Sequence, residues 1–143
     1  MIDSQENVRA ARDRYLAASG FSTDSYVDPS FVIKLGFFKL RFPNPGLLPF
    51  HDLHHVATGY DSSLLGESEI SVFELRTGSG TPLIFFLCCG SILIGLCLSP
   101  RRMWRAWGAA RRAQSLYGTA MPYESLLAMN VGELREYMRL EGR

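Results

Sequence analysis

Residues 82–99 run for eighteen positions without a charge, Pro-Leu-Ile-Phe-Phe-Leu-Cys-Cys-Gly-Ser-Ile-Leu-Ile-Gly-Leu-Cys-Leu-Ser, and any fold must shelter them. A string of that length is the lower bound for a bilayer-crossing helix. It reads equally as a helix buried in a core or lining a lipid site. Gly90, Ser91 and Gly95 interrupt it, and no charged or aromatic anchor marks its N-terminal side. We therefore expect a buried or lipid-lining helix rather than a span. Gly90 and Gly95 would let a partner helix come close.

A basic segment follows. Arg101, Arg102, Arg105, Arg111 and Arg112 alternate with Trp104 and Trp107, and residues 101–112 contain no acid. The spacing predicts a helix over about 100–117, with 101, 105, 108 and 112 on one face and 104, 107 and 110 on another. A basic face beside tryptophan suits the surface of a membrane. A solvated helix with its tryptophans packed inward has the same pattern. The formal net charge of the chain is only +1, which argues against a nucleic-acid partner. The three cysteines, Cys88, Cys89 and Cys97, all fall in the apolar run. An odd number so placed predicts reduced thiols in a cytoplasmic protein, not a disulfide framework. Asp3 and Glu6, with no apolar stretch near them, predict no secretory leader.

The rest of the chain reads as short helices cut by proline and glycine. A first helix is expected over 4–19, capped by Asp3 or Ser4 and ended by Gly20. Residues 20–50 are irregular, with Pro29, Pro43, Pro45 and Pro49, and residues 31–40 suit a short helix or a strand, helix being expected because the neighbouring segments look helical. Helices are expected over 50–58, ended by Gly59, and over about 64–77, capped from Asp61, Ser62 or Ser63. Pro122 opens a closing pair of short helices that reach Leu140. The fold expected is a single all-α domain over residues 1–143, with a metal site between two antiparallel helices.

That site rests on His51-Asp-Leu-His-His55, which holds every histidine of the chain. On a helix, positions four apart lie on one face. His51 and His55 have that spacing, and Asp52 precedes His55 by three. Imidazole nitrogens with carboxylate oxygen suit zinc and similar divalent ions. Three donors from one helix leave the far side open, and Glu67 on the next helix is the candidate to close it. Glu69 and Glu74 are substitutes, and Glu74 also suits a role behind the ligands. The same residues can equally form a polar surface patch. His54 points away from the His51/His55 stripe and is the weakest candidate. The order His-Asp-x-x-His lacks the glutamate general base of a zincin. The apolar surroundings of the cysteines do not favour a thiolate nucleophile.

The pattern His51-Asp52-x-x-His55, then eleven residues, then Glu67, resembles the metal motif of the coenzyme Q (ubiquinone) biosynthesis protein 4 family. The text around it, HDLHHVATGYDSSLLGESEISVFEL, is similar as well. Pro122-Tyr-Glu-Ser-Leu-Leu127 and Val131-Gly-Glu-Leu-Arg135 resemble the family's closing segment more weakly. The likeness covers about residues 47–140. It implies an all-helical protein that binds a divalent ion, usually taken as zinc, beside a site for polyprenyl lipid or a quinone precursor. It implies a homodimer at the inner face of a membrane, in company with other quinone-biosynthesis enzymes. It also implies assistance to oxidative decarboxylation of a prenylated hydroxybenzoate. By position, His51, Asp52, His55 and Glu67 inherit the metal. The chain departs from the family in its first 46 residues, and Leu47-Leu-Pro-Phe50 stands where an arginine-rich lead-in is usual. Two alternatives stay open: a non-catalytic lipid-binding or scaffold protein with a structural metal, and a metal-dependent hydrolase of prenyl phosphates.

Overall fold

The first turn of α1 is decided by the other end of the chain. In the computed structural model, which describes residues 3–35 and 38–140, α1 spans Val8–Ser19 and not 4–19. Residues 4–8 spend their backbone groups elsewhere. Val8 N–H donates to Met129 O, Val131 N–H to Glu6 O, and Gly132 N–H to Ser4 O. Asn7 then caps the helix by accepting from Arg9 N–H, and Gly20 ends it at φ 71°, a left-handed turn that glycine adopts without strain.

After a 3-10 turn at Thr23–Tyr26, residues expected to be helical form a hairpin instead. Strand β1 (Ser30–Leu35) pairs antiparallel with β2 (Phe38–Pro43), Phe31 facing Phe42. The reason is local. Phe38-Lys-Leu-Arg-Phe42 alternates apolar and polar at period two, and Phe31-Val-Ile33 is aromatic and β-branched, a strand composition. The protein is thus mainly helical with one small sheet.

Two helices follow as the sequence predicts. Helix α2 (Leu48–Thr58) has Pro49 in its first turn and ends at Gly59. Helix α3 (Leu64–Thr77) starts at Ser63, whose side chain accepts from Gly66 N–H. Gly66 has no room for a side chain, since a Cβ there would lie 2.1 Å from the carbonyl oxygen of Asp61. The 59–63 loop is therefore pressed onto the start of α3. That contact sets where Glu67, the next residue, emerges.

Helix α4 (Pro82–Leu98) takes up nearly the whole apolar run. It does not sit in the interior as expected. Of its residues only Cys88 and Gly95 are buried, because α4 packs mainly on α3 and α5 and its outer face is exposed among the described residues. Among the described residues no helix is long and apolar enough to cross a membrane. The close approach expected of the glycines occurs at Gly95, where a Cβ would lie 2.5 Å from Met103 Sδ; around Gly90 the space is open. Helix α5 (Pro100–Ala109) stops short of residue 117. The chain leaves it to bury Leu116 completely. Helices α6 (Tyr123–Ala128) and α7 (Val131–Tyr137) close the chain, and an Asn130/Glu133 capping box starts the last.

The main core joins both ends of the chain: Val8 of α1, Leu53 and Val56 of α2, Phe73 of α3, Leu126 of α6 and Leu134 of α7. It therefore fixes α2, which carries the histidines, from several sides. Gly66→Ala should lower stability by at least about 1–3 kcal/mol, the usual cost of forcing extra atoms into a packed contact. Urea denaturation measures this, and an unchanged midpoint would contradict the tight loop contact.

Candidate metal centre

Helical spacing delivers the first two donors. His51 and His55 stack one turn apart on α2, and their Nε2 atoms lie 3.2 Å from each other. Glu67, in the first turn of α3, meets both. One carboxylate oxygen is 3.5 Å from His51 Nε2 and the other 3.4 Å from His55 Nε2. Among the described residues, His51, His55 and Glu67 form the group whose donor atoms fit around one ion. A tetrahedral ion with bonds of about 2.0–2.2 Å keeps its donor atoms about 3.3–3.6 Å apart. The Nε2–Nε2 distance and the two Glu67 contacts, which run to different carboxylate oxygens, are close to that spacing, and one donor atom from each residue lies within 4.8 Å of the others.

The outer nitrogens decide which way the lone pairs point. His55 Nδ1 is 2.9 Å from the backbone carbonyl oxygen of Tyr60. A carbonyl only accepts, so this nitrogen carries the proton. His51 Nδ1 is 2.8 Å from Oε1 of Glu74, which fixes its tautomer in the same way. Both Nε2 lone pairs are then turned toward each other and toward the Glu67 carboxylate. Bare lone pairs at this distance repel, and a shared cation removes the conflict. A proton does so only by making one ring an imidazolium. The electrostatics favour positive charge there. Burial disfavours the His51 imidazolium, but Glu74 and Glu67 outweigh it and raise its pKa well above the ordinary value. Burial likewise opposes the Glu67 carboxylate, and hydrogen bonds from His51 and His55 outweigh that and hold its pKa well down.

Glu74 is the buried anchor behind the site. Its Oε1 accepts from His51 Nδ1, His54 Nδ1 at 2.9 Å and the Tyr117 hydroxyl at 2.7 Å. Despite complete burial, His51 and His54 keep its pKa well below the usual range. Glu74 occupies the position expected of it, behind a candidate donor; a carboxylate placed so on a ligand histidine orients the ring and raises its basicity. His54 lies outside the donor triangle, as its weak candidacy implied. Its Nε2 accepts from Leu116 N–H at 3.0 Å. Its Nδ1 proton therefore goes to Glu74, and burial lowers its pKa. Glu69 is engaged with Arg102 and takes no part.

Asp52 stands apart from the triangle. Its Oδ2 accepts from the Tyr26 hydroxyl at 2.5 Å. Burial raises its pKa, and the charges of His51 and His55 only partly offset this. Tyr123, whose hydroxyl accepts from Arg12, lies beside Tyr26. On the other side of the site, the Tyr15 ring stacks on His55, centroids 4.8 Å apart. Tyr15, Tyr26 and Tyr117 were not foreseen. Tyr15 and Tyr26 come from the N-terminal part that carries no likeness to the motif, and no local pattern ties any of the three to the histidines. Cys88 faces Glu74 Oε2 at 3.8 Å. Burial and the Glu74 charge push its pKa up, so it stays a thiol. No protein-family model matches the chain, and no curated protein matches it in sequence.

The geometry separates a structural histidine, His54, from two candidate donors, His51 and His55. His54→Ala would strip a partner from both Glu74 and the Leu116 N–H and leave a cavity. We expect a loss of about 2–5 kcal/mol in urea unfolding with chelator present. A loss below about 1 kcal/mol would contradict the role given to His54.

Proposed function

We propose that the chain is a metal-binding protein in which His51, His55 and Glu67 hold one divalent ion, most suitably zinc, and leave a coordination position for a ligand. The supporting observation is the triangle of donor atoms with both imidazoles tautomerically fixed. Two nitrogens and a carboxylate suit zinc better than magnesium or calcium, which prefer oxygen alone. When bound, such an ion supplies a Lewis acid for a carboxylate or phenol oxygen. The residues around it do the rest. Glu74 and the Tyr60 carbonyl hold the two rings, and Tyr15 packs against His55. Tyr26 donates a hydrogen bond to Asp52, beside His51 in the chain.

The substrate class follows from the likeness of His51-Asp52-x-x-His55-x11-Glu67 to the ubiquinone-biosynthesis family. We propose a polyprenyl lipid or prenylated aromatic precursor, with its polar head at the metal and oxidative decarboxylation as the step assisted. The site is reachable for such a head: the side chains of His51 and Glu67 are 24% and 35% exposed, while that of His55 is fully covered. A closed structural site is the second reading. It is favoured by Asp52, which would complete four protein donors if it reached the ion.

Glu67→Ala should reduce bound zinc to background by elemental analysis, and full metal content in that variant would overturn the site. Glu74→Gln should keep one ion per chain but weaken its affinity about 10–100-fold. Competition with a chelating dye reads this directly, and unchanged affinity would remove Glu74 from the account.

A further inference from the structure

The outer face of α4 is the largest feature that the metal site leaves unexplained. Phe85, Phe86, Leu93 and Leu96 are each between 44% and 71% exposed. At 3.6 residues per turn, positions 85, 86, 93 and 96 fall within about 100° of one another around the helix, away from buried Cys88 and Gly95. A soluble surface rarely shows so continuous an apolar stripe without a use. At its C-terminal end the stripe meets α5, where Leu96, Pro100, Arg101, Trp104 and Arg105 line one shallow hollow. Trp104 is 77% exposed, so it does not pack into the core.

Charge selects the occupant. From residue 75 to residue 123 the sequence has six arginines, no lysine and no acid. Arg102 is engaged with Glu69, and Arg76 lies over the Trp107 ring. Arg101, Arg105 and Arg111 are exposed and form no ion pair with any described residue. We propose that α4 and α5 together form a docking surface for an anionic lipid bilayer, with the α4 stripe and Trp104 entering the acyl boundary and the arginines meeting headgroup phosphates. Seventeen residues of helix measure about 25 Å, short of the roughly 30 Å of bilayer hydrocarbon. The helix therefore lies along the surface. A second copy of the chain fits this face poorly. A twofold contact over this face would bring Arg101 and Arg105 against the same apolar and basic segment of the other copy, which holds no acid to neutralise them. None of this depends on the metal.

Co-sedimentation of the full chain with phosphatidylglycerol vesicles and with phosphatidylcholine vesicles tests the proposal. We expect binding to the first, little to the second, and marked weakening between 0.1 M and 0.5 M salt. Arg101→Glu with Arg105→Glu should lower affinity at least about twenty-fold, since each basic residue contributes about 1 kcal/mol near an anionic surface. Both positions are exposed, and circular dichroism confirms that the variant keeps its helices. Should the variant not fold, the salt dependence of the unaltered chain decides. Equal binding to both vesicles, no binding to either, or an unaffected double variant overturns the proposal. So does a dimer by light scattering that the double variant dissociates.

Discussion

Much of the site hangs on one oxygen atom. Oε1 of Glu74 accepts from His51, His54 and Tyr117 while fully buried. An isolated carboxylate in that place would be prohibitively costly. With three donors, two of them imidazoles, it is stable as an anion. Its contacts tie α2 and α3 to the segment after α5. Through His54 the tie continues to the backbone of Leu116, whose side chain fills the main core. The orientation of His51 is thus fixed by the same packing that holds the protein together. Loss of Glu74 would loosen the core and the candidate site at once.

The molecule has two sides of different character. One carries the buried polar network and the donor triangle. The other carries α4 and α5, apolar and basic. They meet through α3, which places Glu67 and Glu74 toward the histidines and Ser68 against Gly95 of α4. A protein that takes a polar head at a metal while resting on lipid would want this arrangement, with the two surfaces on neighbouring helices.

The parts legible from sequence were those governed by local rules. Gly20 and Gly59 ended their helices, Ser63 began another, and the His51/His55 spacing placed both rings on one face. Glu67 and Glu74 were also found, because a short loop leaves few ways for the next helix to lie. The hairpin at Ser30–Pro43 was read as helix because neighbouring segments are helical; the period-two alternation of Phe38–Phe42 was the better guide. The exposure of α4 was hidden because an apolar string carries no record of what covers it. Tyr26 and Tyr117 reach Asp52 and Glu74 from 26 and 43 residues away. Contacts of that kind leave no periodic trace, and the early arrest of α5 belongs with them, since it is the core's demand for Leu116 that bends the chain.

X-ray absorption at the zinc edge of the zinc-loaded protein would test the central claim most directly. The account predicts one zinc per chain with two imidazole nitrogens at about 2.0–2.1 Å, the remaining donors oxygen and none sulfur. A sulfur shell at about 2.3 Å, a single imidazole, or failure to retain zinc would contradict it.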